Sequence, residues 1–218
     1  MVQLDTAGGG TYCIDSTEVT MSQYEQFLSD VGPVPDLIAG CDWNDDLMPG
    51  GVSCPAFDPK NSPTRPVVCV DWCDAAAYCS WAGKRLCGRF VSGPLTVSDI
   101  SDPATNQWYR ACSAAGTTTY PYGNTYVPAV CSDFRSGAVS NVMSHPGCEG
   151  GVPGLFDMSG NVYEWIDGCE AESGGSDVCA AAGGSYLNGE TFLTCSTWAP
   201  PTLRSAREPV IGFRCCSP

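Results

Sequence analysis

The first part of the chain alternates apolar and polar residues before it changes to a helical pattern. The segment TYCIDSTEV, residues 11–19, alternates and is rich in β-forming residues, so it predicts a strand. Thr20 and Gln23 then match a capping box at the start of MSQYEQFLSDVG, residues 21–32. Apolar residues on one face of this segment predict a helix that stops at Gly32-Pro33.

Further elements follow after a Pro-, Gly- and Asp-rich stretch. RPVVCV, residues 65–70, predicts a short buried strand, and Asp71 predicts the N-cap of a helix in WCDAAAYCSWAGK that stops at Gly83. Asp102-Pro103 predicts the start of a third helix in PATNQWYRACSA, residues 103–114. The rest suggests loops and short strands. No repeat or long linker divides the chain, so we expect one domain over residues 1–218.

The composition narrows the function. The chain has 25 glycines and 17 prolines, which predict much irregular backbone. Its formal charge is −14, with 24 acidic against 10 basic residues and no basic run. We therefore expect no nucleic-acid partner, and anionic membrane surfaces are disfavoured. No apolar run approaches the length of a membrane span.

The cysteines indicate the compartment. Fifteen cysteines and one histidine, His145, are spread without the tight pairs of a zinc module. This pattern favours disulfides in an oxidising compartment, so we expect a secreted, periplasmic or cell-surface protein. Because fifteen is odd, one thiol is free or joins another chain. The start MVQLDTAGGG has neither the basic nor the apolar region of a signal peptide, so a leader would already have been removed.

The segment FDMSGNVYEW, residues 156–165, is the main candidate for function. Asp157 and Glu164 flank a turn that contains Gly160. They could be a catalytic acid pair, a cation site, or the polar edge of a turn. No nucleophile stands beside them, which disfavours catalysis, whereas a hard cation takes carboxylate and carbonyl oxygens together. The residues alone favour a turn whose acids face water.

Four collinear segments carry a family resemblance. These segments are YCIDSTEVTMSQYEQFL, RPVVCVDWCDAAAYCSWAGKRL, YPYGN with GLFDMSGNVYEW, and GGSY followed by GFRC. Together they resemble the formylglycine-generating enzyme, or sulfatase-modifying factor, family. The resemblance implies an α+β, irregular, loop-rich fold of the C-type-lectin type, with two or three helices around small twisted antiparallel sheets. It also implies that the first and last strands pair. The chain departs from the family in an insertion from Cys87 to about Asp102.

The resemblance implies a structural calcium and two disulfides. Carried onto this chain, the calcium ligands are the side chains of Asp157 and Glu164 and the carbonyls of Gly160 and Val162. The family disulfides become Cys79 with Cys215 and Cys112 with Cys195. Three further pairs are suggested only by proximity along the chain. They are Cys41 with Cys54, Cys131 with Cys148, and Cys169 with Cys179.

The resemblance also locates a catalytic copper site. Active members bind copper through cysteines at the second and seventh positions after GGSY, and soft thiolates suit Cu(I). Here those positions are Asn188 and Leu193, and Cys195 stands two residues late. Copper is therefore not expected, and we expect no catalytic residue.

Without a catalytic site, the segment 188–208 is the main candidate for a binding surface. The segment 188–208 lies where the family binds its peptide, and Trp198, Arg204 and Arg207 are candidate contacts, although Trp198 could equally fill the core. We expect a non-catalytic binding or structural module with a protein partner in an extracellular, surface or envelope assembly. The alternatives are a sulfatase-maturing oxidase that converts a cysteine to formylglycine, and a variable ligand-display protein.

Overall fold

The first sheet joins the two ends of the chain. The computed structural model describes residues 1–31, 38–91 and 93–218. The sheet contains β1 (Val2–Asp5), β2 (Thr11–Ile14), β3 (Arg85–Leu86) and β8 (Cys215–Ser217), in the order β1-β2-β8-β3 and antiparallel throughout. Ile14 of β2 pairs with Cys216 of β8, so the strand predicted from TYCIDSTEV meets the last strand as the resemblance implies, and β1 is added outside it.

The second sheet carries the candidate site. It contains β4 (Tyr163–Cys169), β5 (Val178–Ala182), β6 (Thr202–Leu203) and β7 (Ile211–Phe213), in the order β6-β5-β4-β7. The β4–β7 pair is parallel and the others are antiparallel, so this sheet is mixed. The predicted α+β class is confirmed, with the one correction that the sheets are not all antiparallel.

The first two helices begin where their caps predict. Helix α1 spans Met21–Val31, and the Thr20 amide donates to Gln23 Oε1 at 2.9 Å. Its predicted stop at Gly32-Pro33 lies outside the described residues. Helix α2 spans Trp72–Trp81, and Asp71 caps it in a reciprocal capping box. Both helices pack apolar faces into the larger core, with Tyr24 stacked on Tyr78 at 5.8 Å between ring centroids.

The third helix starts later than predicted. Helix α3 spans only Gln107–Cys112, and its N-cap is Asn106, whose Oδ1 accepts from the Tyr109 amide at 3.1 Å. Asp102 instead closes the preceding turn, because its Oδ1 accepts from the Ala104 amide at 2.9 Å. Asp102 therefore stabilises the turn before the helix, and Asn106 is the N-cap.

Residues 65–70 do not form the predicted strand. All six are described, and their amides bond irregularly: Val67 donates to the Val19 carbonyl at 2.9 Å and Cys69 to the Glu208 carbonyl at 3.1 Å. Cys69 has a φ of 63°, which breaks any extended run. The apolar pattern predicted the burial of residues 67–70 correctly, but it predicted a strand that does not form.

Fourteen of the fifteen cysteines are paired. The structure contains both pairs implied by the resemblance, Cys79–Cys215 and Cys112–Cys195, and two of the pairs suggested by proximity. The suggestion of Cys41 with Cys54 is wrong, and three observed pairs were not foreseen: Cys41–Cys73, Cys54–Cys69 and Cys87–Cys216. The full set is Cys41–Cys73, Cys54–Cys69, Cys79–Cys215, Cys87–Cys216, Cys112–Cys195, Cys131–Cys148 and Cys169–Cys179.

The error at Cys41 has a tertiary cause. Asn44 donates to Asp74 Oδ1 at 2.8 Å, so the loop after Cys41 lies along the first turn of α2 and brings Cys41 to Cys73. Cys13 in β2 is the unpaired cysteine and is half-buried. Within the described ranges, no helix is long and apolar enough to cross a membrane.

Candidate functional site

The turn between Asp157 and Glu164 is held tightly against the rest of the molecule. Asp157, Gly160 and Asn161 all adopt left-handed backbone, with φ of 57°, 77° and 55°. A Cβ on Gly160 would lie 2.2 Å from the Ser132 carbonyl oxygen, so only glycine fits there. The turn leads directly into β4, which fixes the position of Glu164.

Glu164 is bound by a buried guanidinium. Arg214 Nε donates to Glu164 Oε2 at 2.7 Å, and Nη2 donates to Oε1 at 2.8 Å. Trp108 Nε1 adds a third bond, to Oε2, at 2.7 Å. Arg214 also donates to the carbonyl of Phe156, the residue before Asp157, at 2.9 Å. The guanidinium therefore joins the two ends of the turn.

Two more buried carboxyls face this guanidinium. Asp157 Oδ2 accepts from the Met143 amide at 2.7 Å. Glu18 is 0 % exposed, and its Oε1 accepts from Asn161 Nδ2 at 3.0 Å. Glu18 Oε2 has no hydrogen-bond partner among the residues described, and Arg214 Nη2 stands 4.0 Å away. The sequence analysis missed Glu18, because its partners lie at least 143 residues away along the chain.

The site carries an excess of acid groups. Glu18, Asp157 and Glu164 face one arginine, which would leave a net charge of −2 if all three were ionised. Burial raises the pKa of Glu18 well above its usual range, and the nearby Asp157 raises it further. Burial also raises the pKa of Asp157. A cluster of this kind is stabilised by additional positive charge.

The donor set suits a hard cation only together with main-chain oxygens. In the described part of the chain, no three His, Cys, Asp or Glu side chains are placed to hold a metal ion by themselves. Calcium binds carboxylates and carbonyls together. Asp157 and Glu164 with the carbonyls of Gly160 and Val162 have this composition, and their surroundings are negative. These donor types suit calcium, and in the structure both Glu164 oxygens are already bound, by Arg214 and Trp108.

The loop after Gly184 has no thiolate at either expected copper position. Asn188 Oδ1 accepts from the Ser185 amide at 2.8 Å and from its hydroxyl at 3.0 Å, which closes a tight turn. Leu193 is 1 % exposed and packs in the core. Cys195, the nearest sulfur in sequence, is bonded to Cys112. All three side chains serve the structure.

Of the three candidate surface contacts, Arg204 is buried, and Arg207 and Trp198 are only partly exposed. Arg204 is 1 % exposed, pairs with Asp177 at 3.6 Å and lies over the Trp72 ring at 4.9 Å from its centroid. Arg207 is engaged by Asp71 at 3.1 Å and Asp74 at 3.2 Å. Trp198 is half-buried against the smaller core. Arg204 and Arg207 therefore form ion pairs within the molecule.

Exposed apolar residues instead lie beside the Asn188 turn. Phe134, Leu187 and Phe192 are 54 %, 61 % and 56 % exposed. The Phe134 amide donates to the Asn188 carbonyl at 3.0 Å, and Arg135 covers the Phe134 ring at 4.3 Å from its centroid. We call these three residues the apolar patch.

Comparison with known proteins defines the class. The model of the sulfatase-modifying factor enzyme 1-like domain matches residues 8–217. The chain belongs to this family.

The relatives of this chain include a protein named as inactive and a protein named as an enzyme. The inactive C-alpha-formylglycine-generating enzyme 2 of Bos taurus is 27% identical over 168 residues, covering 70% of this chain and 50% of that protein. The formylglycine-generating enzyme of Thermomonospora curvata is 27% identical over 202 residues, covering 75% and 59%. The chain thus spans about half the length of these relatives.

A solved structure supports the fold. PvdO from Pseudomonas aeruginosa matches with a TM-score of 0.63 at 20% identity, covering 95% of this chain and 80% of that one. At this identity the likeness concerns the fold alone.

Proposed function

We propose that this chain is a non-catalytic binding or structural module that is exported, stapled by disulfides and stabilised by calcium. The observation that carries the proposal is the loop from Ser185 to Cys195. Asn188 closes a turn, Leu193 fills the core and Cys195 is oxidised, so no thiolate is free to hold Cu(I) there. The similarity to a relative named inactive supports the same conclusion.

The disulfides support an oxidising location. Seven disulfides in 218 residues fit a secreted, periplasmic or cell-surface protein, since cytosolic thiols are kept reduced. Cys13 remains available for a bond to another chain.

Two features support the calcium and the partner. Three buried acids face Arg214, and burial raises the pKa of Glu18 and Asp157; a hard cation at Asp157, Gly160, Val162 and Glu164 would stabilise their ionised forms. The apolar patch stands on loops beside a rigid sheet and exposes aromatic rings next to an arginine, a composition common in protein interfaces. We propose that a protein partner in a surface or envelope assembly covers it.

The competing function is a sulfatase-maturing oxidase, favoured by 27% identity to the enzyme of Thermomonospora curvata. The test is incubation with Cu(I), O₂ and a peptide that carries Cys-x-Pro-x-Arg, with the cysteine followed by mass spectrometry. The Thermomonospora curvata enzyme serves as the positive control. We expect no formylglycine from this chain. Conversion that is lost in Cys195→Ser would establish the oxidase instead.

A further inference from the structure

The insertion that separates this chain from its family forms a wall over the second sheet. The Leu95 amide donates to the Asp167 carbonyl of β4 at 2.7 Å, and Leu95 is buried. Asp99 binds the Thr96 amide at 2.7 Å and pairs with Arg89 at 2.6 Å. The first bond ties the insertion to β4, and the other two hold the insertion's own turn together.

An apolar chamber lies between this wall and the sheet. Its volume is about 430 Å³, within the range of sites that bind small molecules. Leu95 and Ile100 line it from the insertion, Val178 and Ala180 from β5, and Trp198 from the segment that follows. Trp198 contributes an aromatic side chain, and its buried Nε1 has no hydrogen-bond partner among the described residues. An apolar ring system is the ligand body that such walls favour.

An acidic chamber adjoins the apolar one. It measures about 540 Å³ and shares Pro94, Cys169 and Glu170 with its neighbour. Asp167 and Glu172 also line it. Burial raises the pKa of Asp167, although Arg85 opposes the shift.

Arg204 also lines the acidic chamber; its two terminal nitrogens are engaged, whereas its Nε has no hydrogen-bond partner among the described residues. It pairs with Asp177, and its Nη1 donates to the Ala39 carbonyl at 2.8 Å. The chamber therefore favours positive charge, as does the overall charge of −14.

We propose that the two chambers form one binding cleft for a small amphipathic cation. An apolar, ring-sized body would occupy the apolar chamber against Trp198, and an ammonium or guanidinium head would lie beside Glu170 at the junction. Anionic ligands are disfavoured, because Asp167, Glu170 and Glu172 would all repel them. This inference rests on the proposed binding role and gives it a ligand class.

The test uses three probes with one ring system: 1-naphthylmethylammonium, the neutral 1-naphthylmethanol and the anionic 1-naphthylacetate. Calorimetric titration should give saturable binding of the ammonium probe at one site. We expect the ammonium to bind about tenfold tighter than the alcohol, a difference of about 1.4 kcal/mol. The anion should bind weakest. Equal affinity for all three probes, or no saturable binding of the ammonium up to millimolar concentration, would overturn the proposal.

Variants separate the two chambers. Glu170→Gln should reduce the preference for the ammonium over the alcohol to about twofold, because the head loses its main counter-charge. Glu25→Gln, on exposed α1, changes the net charge equally and should leave the preference unchanged. Ala180→Leu should weaken the ammonium and the alcohol alike by filling the apolar chamber. Unchanged binding in Ala180→Leu, with thermal unfolding showing a folded variant, would contradict the assignment.

These outcomes are independent of the oxidase test. Neither chamber includes a residue from the turn 157–164 or the loop 184–195. Formylglycine formation would refute the non-catalytic role while leaving probe binding to be judged separately.

Discussion

The turn from Asp157 to Glu164 and the loop from Gly184 to Cys195 lie against each other but differ in the chemistry that they retain. The Gly160 amide donates to the Gly183 carbonyl at 3.0 Å, and Ser159 Oγ donates to the Leu193 carbonyl. The turn has both acids at the expected calcium positions. The loop has neither cysteine at the expected copper positions.

The difference teaches which part of the site the fold itself needs. Glu164 is bonded to Arg214 and Trp108, so the turn belongs to the buried scaffold and its acids cannot be lost cheaply. At the two expected copper positions this chain instead has Asn188, which closes a turn, and Leu193, which packs in the core. The fold therefore accommodates residues without metal-binding chemistry there.

The largest expected effect concerns the loop. Replacing both Cys112 and Cys195 by serine opens an 83-residue separation, which the chain-entropy model values at about 4–5 kcal/mol of unfolding free energy. Denaturant unfolding measures the loss. Cys13→Ser is the control and should leave stability unchanged, because Cys13 is unpaired. A double variant as stable as the wild type would mean that Cys195 is free for other chemistry.

The next effect concerns the turn. Arg214→Met leaves Glu164, Glu18 and Asp157 buried without their cation, and we expect a loss of about 3–5 kcal/mol. Lys60→Met removes an exposed positive charge, so it should change stability little. If the two variants unfold at the same denaturant concentration, the turn is not the scaffold element described here.

Calcium removal should have a smaller effect. At 100 times the dissociation constant, a ligand that binds only the native state adds about 2.7 kcal/mol. EDTA should therefore lower the melting temperature by about 5–10 °C for a chain of this size. Asp157→Asn should abolish the response, whereas Asp30→Asn on exposed α1 should keep it. If EDTA does not change the melting temperature, the turn does not bind a stabilising metal.

The smallest effect tests the role of Asn188. Asn188→Ala removes the acceptor for the Ser185 amide and hydroxyl, which should cost about 1 kcal/mol. Asn188→Asp keeps an acceptor oxygen and should be closer to wild type. Chemical denaturation of the two variants side by side decides it. An alanine variant as stable as wild type would show that Asn188 does not hold the loop.

Local signals predicted the starts of two helices but not the distant partners. The caps at Thr20 and Asp71 could be predicted because their hydrogen bonds span only three residues. Family resemblance supplied Cys79 with Cys215 across a separation of 136 residues, which no local pattern shows. Cys41 was misassigned because its partner depends on how a loop lies along α2.

Buried charge was the least predictable feature. Arg204 and Arg207 resemble surface residues in sequence, yet Arg204 bonds to backbone carbonyls beside Asp177, and Arg207 pairs with Asp71 and Asp74. Glu18 stands in an alternating segment where a charged residue ordinarily faces water. Glu18 is buried against Asn161 and Arg214, which are distant from it in sequence.

Metal content tests most directly whether the turn from Asp157 to Glu164 binds calcium and whether the loop from Gly184 to Cys195 binds no copper. The purified protein, without thiol reductants, is equilibrated with calcium and with Cu(I) buffered by a weak chelator, then gel-filtered and analysed by plasma mass spectrometry. We predict one calcium per chain, absent in Asp157→Asn, and copper far below one per chain. One copper per chain that disappears in Cys195→Ser, or a protein without calcium, would contradict the account.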